Sequence, residues 1–470
     1  MILFKSHQAH LVALFALMLF GGCRSGLPAH FTQLYNRESL PAPNSRAFQS
    51  LAERLNIHAP PALNRVRLIR GGRETFDQML FMIAGARSSV DLEMYIYYDD
   101  SAGRLISNAL IRKARERVPV RLLIDDWGDL YFSDELADHL ITGNVQLKYF
   151  NSFSLLMPWQ FNVRTHRRML IVDERQALTG GWGVAAWWRG TGDHEHVTDL
   201  QVHLEGPAAW EMHDHFQRNW QRQGLVADDA HQSNLKPDEL YALRNNIDET
   251  DSAHRNSSIE NRDAREEISL NDADNVSFVR HEFPATTALV APIFNSPNDG
   301  FQSIYKMYIL SSNAARRRIW ITTPFFVPPD DLIQSWKRAV LRGVDVRLLL
   351  PHPRYVQEFP VIYAGNKHIQ ELLYAGVRVY IYNPRLIHTK SALFDDELTI
   401  IGTSNVDRRS FEINFESDVA IYDARIADRM QSIFLEDQAQ STELKAEYFS
   451  QRTLPTHLKE CLWLPLESEL

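Results

Sequence analysis

One spaced pattern occurs twice in this 470-residue chain, its copies 222 positions apart. The first is His166-Arg-Arg168-Met-Leu-Ile-Val-Asp173, followed after six intervening residues by Gly180-Gly181-Trp-Gly183. The second is His388-Thr-Lys390-Ser-Ala-Leu-Phe-Asp395, followed after six intervening residues by Gly402-Thr-Ser404-Asn405. A pattern that recurs with its flanks marks an internal repeat, and a repeat of this length restricts the fold to two similar units. The surrounding residues agree. In the first half, Arg73 to Ala86 reads as a helix, Val90 to Tyr98 as a strand, Gly103 to Arg117 as a helix and Val120 to Asp125 as a strand. In the second half, Gln302 to Ala315, Ile319 to Phe326, Leu332 to Arg342 and Val344 to Leu350 repeat that order. Alternating strands and helices predict two α/β units with buried sheets.

The spacing has a chemical reading. Met169 to Val172 and Ser391 to Phe394 are apolar and too short for helices, so they predict buried strands. Residues two apart on a strand share a side, so His388 and Lys390 point into one pocket, as do His166 and Arg168. The glycine-rich turn lets backbone approach a ligand, Ser404 lies in it, and Asn405 adds a neutral donor. Each copy thus offers a titratable imidazole and a fixed cation to a phosphate. Two facing imidazoles supply what double displacement at a phosphodiester requires: one attacks phosphorus and the other protonates the leaving alcohol. Asp173 and Asp395 are expected to hold the histidines and stabilise imidazolium, as a carboxylate does in other triads.

These motifs resemble those of the phospholipase D superfamily, and within it the bacterial cardiolipin synthases. Supporting stretches are Leu92-Glu-Met-Tyr-Ile-Tyr, Val120-Arg-Leu-Leu-Ile-Asp, Leu204-Glu-Gly-Pro and the run from Gly402 to Glu416. The resemblance implies two tandem phospholipase D-type α/β domains forming a pseudo-twofold bilobal enzyme, with one active site between the lobes. It implies phosphatidyl transfer, making cardiolipin from two phosphatidylglycerol molecules through a phosphohistidine, without a metal or other cofactor. His166, Arg168, Asp173, His388, Lys390 and Asp395 would be catalytic, and Arg168, Lys390, Ser404 and Asn405 would bind the substrate phosphate. Glu416 matches a position that assists the opposite histidine or serves as a structural acceptor. By the same resemblance His166 attacks and His388 is the acid. The first copy departs from the pattern: Arg168 stands for the usual lysine and Gly183 for the usual asparagine. Those departures leave open the opposite assignment and an inactive lipid- or protein-binding lipoprotein, and the superfamily also includes hydrolases, so a phospholipase D-like hydrolase is a further alternative.

Charge bears on the partner. The net charge is −9, but residues 227–275 hold thirteen acidic and five basic side chains, so the remainder is close to neutral. A near-neutral body lacks the basic face of a nucleic-acid binder. It suits a membrane surface carrying the phospholipid substrate, and says nothing of oligomeric state.

The expected organisation is a signal peptide with lipobox at 1–23, a tether at 24–63, a first domain at 64–226, an acidic disordered insert at 227–280 and a second domain at 281–470. Lys5, the apolar run Leu11 to Phe20 and Phe20-Gly21-Gly22-Cys23 resemble a bacterial lipoprotein signal, with Cys23 lipidated. That places the protein in the cell envelope facing the periplasm, and Arg24 after the cysteine favours the outer membrane over the inner. Cys461 reads as a small buried hydrophobe. Asp193-His194-Glu195-His196 lacks the spacing of a metal site. Leu155 to Phe161, with Trp159, reads either as core or as a loop dipping into lipid; Trp187 and Trp188 carry the same ambiguity, with core favoured.

Overall fold

The computed structural model describes residues 40–128, 131–152, 162–190, 197–223, 284–297, 301–356 and 359–450. The lipobox at Cys23, the stretches 155–161 and 193–196, the acidic residues 227–275 and Cys461 therefore lie outside the described residues.

The first half supplies seven strands: β1 (Ala62–Arg70), β2 (Val90–Met94), β3 (Val120–Asp125), β4 (Gln146–Phe150), β5 (Met169–Val172), β6 (Gln176–Gly180) and β7 (Leu200–Glu205). The second half supplies β8 (Thr286–Ser296), β9 (Arg318–Thr322), β10 (Asp345–Pro351), β11 (Arg378–Tyr382), β12 (Ser391–Phe394), β13 (Leu398–Gly402) and β14 (Glu416–Tyr422), with β15 (Ser441–Leu444) at the edge. With the short strand Phe301–Gln302, which pairs with β8, these fifteen form one 16-stranded sheet. Outward from the centre the first half runs β1-β7-β6-β5-β2-β3-β4, and the second runs β8-β14-β13-β12-β9-β10-β11. Each strand therefore occupies the place of the one seven earlier. The two halves meet where β1 pairs antiparallel with β8, from Ala62 against Val290 to Val66 against Thr286.

Helices repeat with the strands. The first half carries α1 (Arg46–Arg54), α2 (Gly72–Gly85), α3 (Ser101–Arg115), α4 (Asp134–Thr142) and α5 (Pro207–Arg222). The second carries α6 (Ser303–Ala314), α7 (Asp330–Leu341), α8 (Phe359–Tyr374) and α9 (Ala424–Ala439). Side-chain caps set several starts: Ser45 accepts from Phe48 N, Asp100 from Ala102 and Gly103 N, and Ser133 from Leu136 N.

Both faces of the sheet are covered, which explains the unbroken apolar strands. Along β5, Leu170 and Val172 enter one core with α2 and α3, while Met169 and Ile171 enter another with α5. This second core also takes Phe294, Phe415, Val419 and Ile426 from the other half. The two repeats are thus joined through one sheet and share a core.

Strand β2 stops at Met94, short of the expected Tyr98. The Tyr95 carbonyl stands 1.6 Å from where a Cβ on Gly128 would lie, so the chain turns there over a glycine. Tyr98 N then donates to Val184 O, and Val184 N to Ile96 O, so this segment pairs with the loop after β6. Among the described residues no helix is long and apolar enough to cross a membrane.

Candidate active site

Both histidine arms are pinned to the opposite half. His166 N donates to Phe415 O (2.9 Å), and Phe415 N to Arg164 O (2.9 Å). His388 N donates to Thr198 O (2.8 Å), where Leu386–Ile387 pairs with Val197–Thr198. Beneath the first arm, Asp125 at the end of β3 accepts from Thr165 N (2.7 Å), and Glu93 on β2 accepts from the Thr165 hydroxyl (2.5 Å).

The orienting carboxylates cross between halves as well. Nδ1 of His166 lies 2.9 and 3.0 Å from the two Glu416 oxygens, and Nδ1 of His388 lies 2.9 Å from Asp199 Oδ2. Glu416 opens β14 and Asp199 immediately precedes β7, so the pair follows the repeat. Glu416 had a recognisable sequence position. Asp199 did not, because it stands five residues further from Gly180 than Glu416 stands from Gly402.

Asp173 and Asp395 do not hold the histidines. The Asp173 carboxylate accepts the backbone N–H groups of Arg87 (3.0 Å), Ser88 (2.6 Å) and Ser89 (3.0 Å). Asp395 does the same for Arg316 (3.0 Å), Arg317 (2.7 Å) and Arg318 (3.1 Å). Four strand residues separate each aspartate from its motif cation, a run of more than about 13 Å in extended backbone. Each therefore sits at the far end of its strand, at φ of 54° and 52°, where it caps the loop entering β2 or β9. Partial burial raises the Asp173 carboxyl, but these hydrogen bonds outweigh it and hold the group below its usual range.

The two cations sit differently on their histidines. Arg168 Nη2 is 2.9 Å from His166 Nε2, a contact to one nitrogen. Lys390 Nζ is 3.0 Å from both nitrogens of His388 and donates to the His388 carbonyl (2.8 Å). A point equidistant from both nitrogens and in the ring plane would collide with a ring carbon, so the ammonium stands over the ring face. Tyr95 packs edge-on to His166 (4.9 Å between centroids), and Trp188 edge-on to His388 (5.5 Å).

The turns after β6 and β13 differ in kind. Thr403 donates its hydroxyl to Glu416 (2.5 Å), and Thr403 and Ser404 donate their N–H groups to Asp418. Ser404 thus contributes backbone to the turn. Asn405 N donates to Ser410 Oγ (3.1 Å), while its side-chain Oδ1 is buried without a partner among the described residues. In the first half, a Cβ on Gly181 would lie 2.3 Å from Asp199 Oδ2, so glycine makes room for that carboxylate. Asp407 accepts from Ser410 N (2.7 Å) and Arg409 donates to Asn162, both contacts that hold the turn.

Burial dominates the titration of this centre. It holds His166 well below its ordinary value, reinforced by Arg168 and Lys390, and pushes His388 down to about 3, reinforced by Lys390 and Arg168. Each cation thus acts on both imidazoles, which ties the two motifs into one electrostatic unit. Burial also raises Glu416 to about 7. Among the described residues no group of three or more His, Cys, Asp or Glu is arranged to hold a metal ion.

Comparison with known proteins agrees with this architecture. Residues 309–438, from the second half, match the family described as cardiolipin synthase, PLD-like domain. The chain is 28% identical to cardiolipin synthase A of Pseudomonas putida over 420 residues, covering 87% of this chain and 76% of that one. It is 29% identical over 401 residues to the major cardiolipin synthase ClsA of Bacillus subtilis, covering 84% and 73%. Over most of its length the chain is similar to the cardiolipin synthases of the phospholipase D superfamily. Its fold is shared with the crystal structure of a phosphatidylserine synthase of Haemophilus influenzae, at a TM-score of 0.62 and 13% identity, over 90% of this chain and 100% of that one. That likeness of fold takes in both halves of the chain, beyond the matched segment of the second.

Proposed function

We propose that this protein is a phosphatidyltransferase that joins two phosphatidylglycerol molecules into cardiolipin and releases glycerol. The observation that carries the reading is the reciprocal pair of histidine–carboxylate contacts, Glu416 on His166 and Asp199 on His388. The cardiolipin synthases among its relatives supply the substrate class.

With Nδ1–H donated to Glu416, His166 presents Nε2 as the nucleophile. Burial and two cations keep it neutral, so its lone pair is available. A phosphodiester entering between Arg168 and Lys390 draws the guanidinium from Nε2 to its own oxygens. Its negative charge also offsets both cations, which raises His388 and lets that imidazole take up a proton. In the first step Nε2 bonds to phosphorus, the bond from phosphorus to the glycerol oxygen breaks, and His388 gives its proton to the leaving oxygen. In the second step, a hydroxyl of another phosphatidylglycerol returns a proton to His388 and bonds to phosphorus as the phosphorus–nitrogen bond breaks. Atoms balance as two phosphatidylglycerols in, cardiolipin and glycerol out. Asn405 supplies a neutral donor to the phosphate.

Work at a membrane surface follows from the substrate. Anchoring through a lipidated Cys23, facing the periplasm, is part of this proposal, and mass spectrometry of the processed N-terminus tests it. The main test incubates the purified protein with phosphatidylglycerol vesicles and measures glycerol and lipid products. Cardiolipin with an equal amount of glycerol supports the reading. Phosphatidic acid as the only lipid product makes the protein a hydrolase, and cleavage of DNA or RNA instead overturns the lipid reading.

A further inference from the structure

Position 183 corresponds to Asn405, since both stand 17 residues after their motif histidine. Its glycine reflects a replacement as well as a lost amide. A Cβ on Gly183 would lie 2.2 Å from Trp188 Cζ3 and 2.7 Å from Cε3 and Cη2. The six-membered ring of Trp188 therefore occupies the space into which an asparagine side chain would grow. That ring is 2% exposed, edge-on to His388, and stacked on Trp187 at 4.1 Å. Its backbone is fixed: the Trp188 carbonyl lies 1.9 Å from where a Cβ on Gly72 would be, and Ala186 N donates to Asp100 Oδ2 (2.7 Å). Two helices, α2 and α3, thus hold the indole against the acid–base histidine.

We infer that Trp188 is the residue that directs the phosphoenzyme toward a lipid hydroxyl and away from water, an inference that rests on the phosphatidyltransferase reading above. Once glycerol has left, the phosphorus–nitrogen bond is broken by whichever hydroxyl is held in line beside His388, and either one gives its proton to that imidazole. Water held for attack needs two to four hydrogen-bonding partners. An amide at position 183 would offer both donors and acceptors there, whereas an indole carbon edge offers none. An apolar wall instead suits the glycerol carbons of an incoming lipid and keeps that side of the site dry.

The experiment measures the ratio of phosphatidic acid to cardiolipin formed from phosphatidylglycerol vesicles by the full chain. Trp188→Gln, similar in length and polar, and Trp188→Ala are each expected to raise that ratio by about tenfold or more. Trp188→Phe, which keeps an apolar ring, is expected to stay near the wild-type ratio. Thermal melts identify variants that fail to fold; with Trp188→Ala lost that way, Trp188→Gln still decides. An unchanged ratio in a folded Trp188→Gln, whatever its total turnover, overturns the inference and reduces Trp188 to packing. A wild type that makes no cardiolipin at all instead refutes the functional reading on which the inference rests.

Discussion

Replacing Asp173 by alanine separates two roles that the motif spacing alone confounds. The substitution removes the acceptor for three consecutive backbone N–H groups and for the Ser88 hydroxyl. The site is partly exposed, so water recovers much of the loss; a cap of this kind is worth about 1–2 kcal/mol. Alanine at φ near 54° adds about 1 kcal/mol of backbone strain. Together these give about 2–3 kcal/mol, or a fall in Tm of about 3 °C for a chain this long. The chemistry should survive, with glycerol release within about threefold of wild type, because no imidazole loses a partner. Glu416→Gln should do the reverse. Burial already raises the Glu416 carboxyl, so removing its charge costs little stability, while His166 loses its fixed tautomer. By analogy with carboxylate-to-amide changes in other triads, turnover should fall by about 10²–10⁴ with Tm nearly unchanged. The assay is steady-state glycerol release alongside a calorimetric melt on each variant. A folded, wild-type-stable Asp173→Ala without activity would refute the assignment.

Two further outcomes follow. Gly183→Asn drives a Cβ into the Trp188 ring and should destabilise the fold by about 1–3 kcal/mol without raising turnover; a more active variant contradicts the reason given for that glycine. His215 stacks on Phe294 at 3.6 Å, and burial holds its imidazole down at about 2. The unfolded chain takes up a proton near pH 6.5 while the folded one does not, so stability is lost as pH falls below that value. His215→Phe should therefore lose about 2 kcal/mol less than wild type between pH 7.5 and 5; equal losses in denaturant titrations would show that His215 titrates normally.

Much of the fold was legible because local signals and burial agree. Val120–Asp125, Met169–Val172 and Ser391–Phe394 form with the bounds expected, since both faces of each strand are covered. The helices start and stop within a few residues of their sequence signals, helped by caps such as Asp100. Tyr95 to Tyr98 reads as more strand because it is aromatic and apolar, but Tyr95 packs against His166 while Ile96 and Tyr98 pair with Val184. The motif aspartates misled for a geometric reason. Period two places His166 and Arg168 on one side but says nothing about which end of the strand lies at the pocket. Asp199 stayed hidden behind a longer spacing in the first half. Trp188 reads as core in the sequence and is buried as such, but only a contact in space relates it to Gly183.

The proposed reaction passes through a covalent intermediate at one nitrogen, Nε2 of His166. Mixing the protein with phosphatidylglycerol labelled in its phosphate, quenching within a single turnover under alkaline conditions that preserve phosphohistidine, and mapping the labelled peptide tests it directly. The label is expected on His166, and to be absent from His166→Ala, which should release no glycerol. Label on His388, or full activity in His166→Ala, would contradict the mechanism described above.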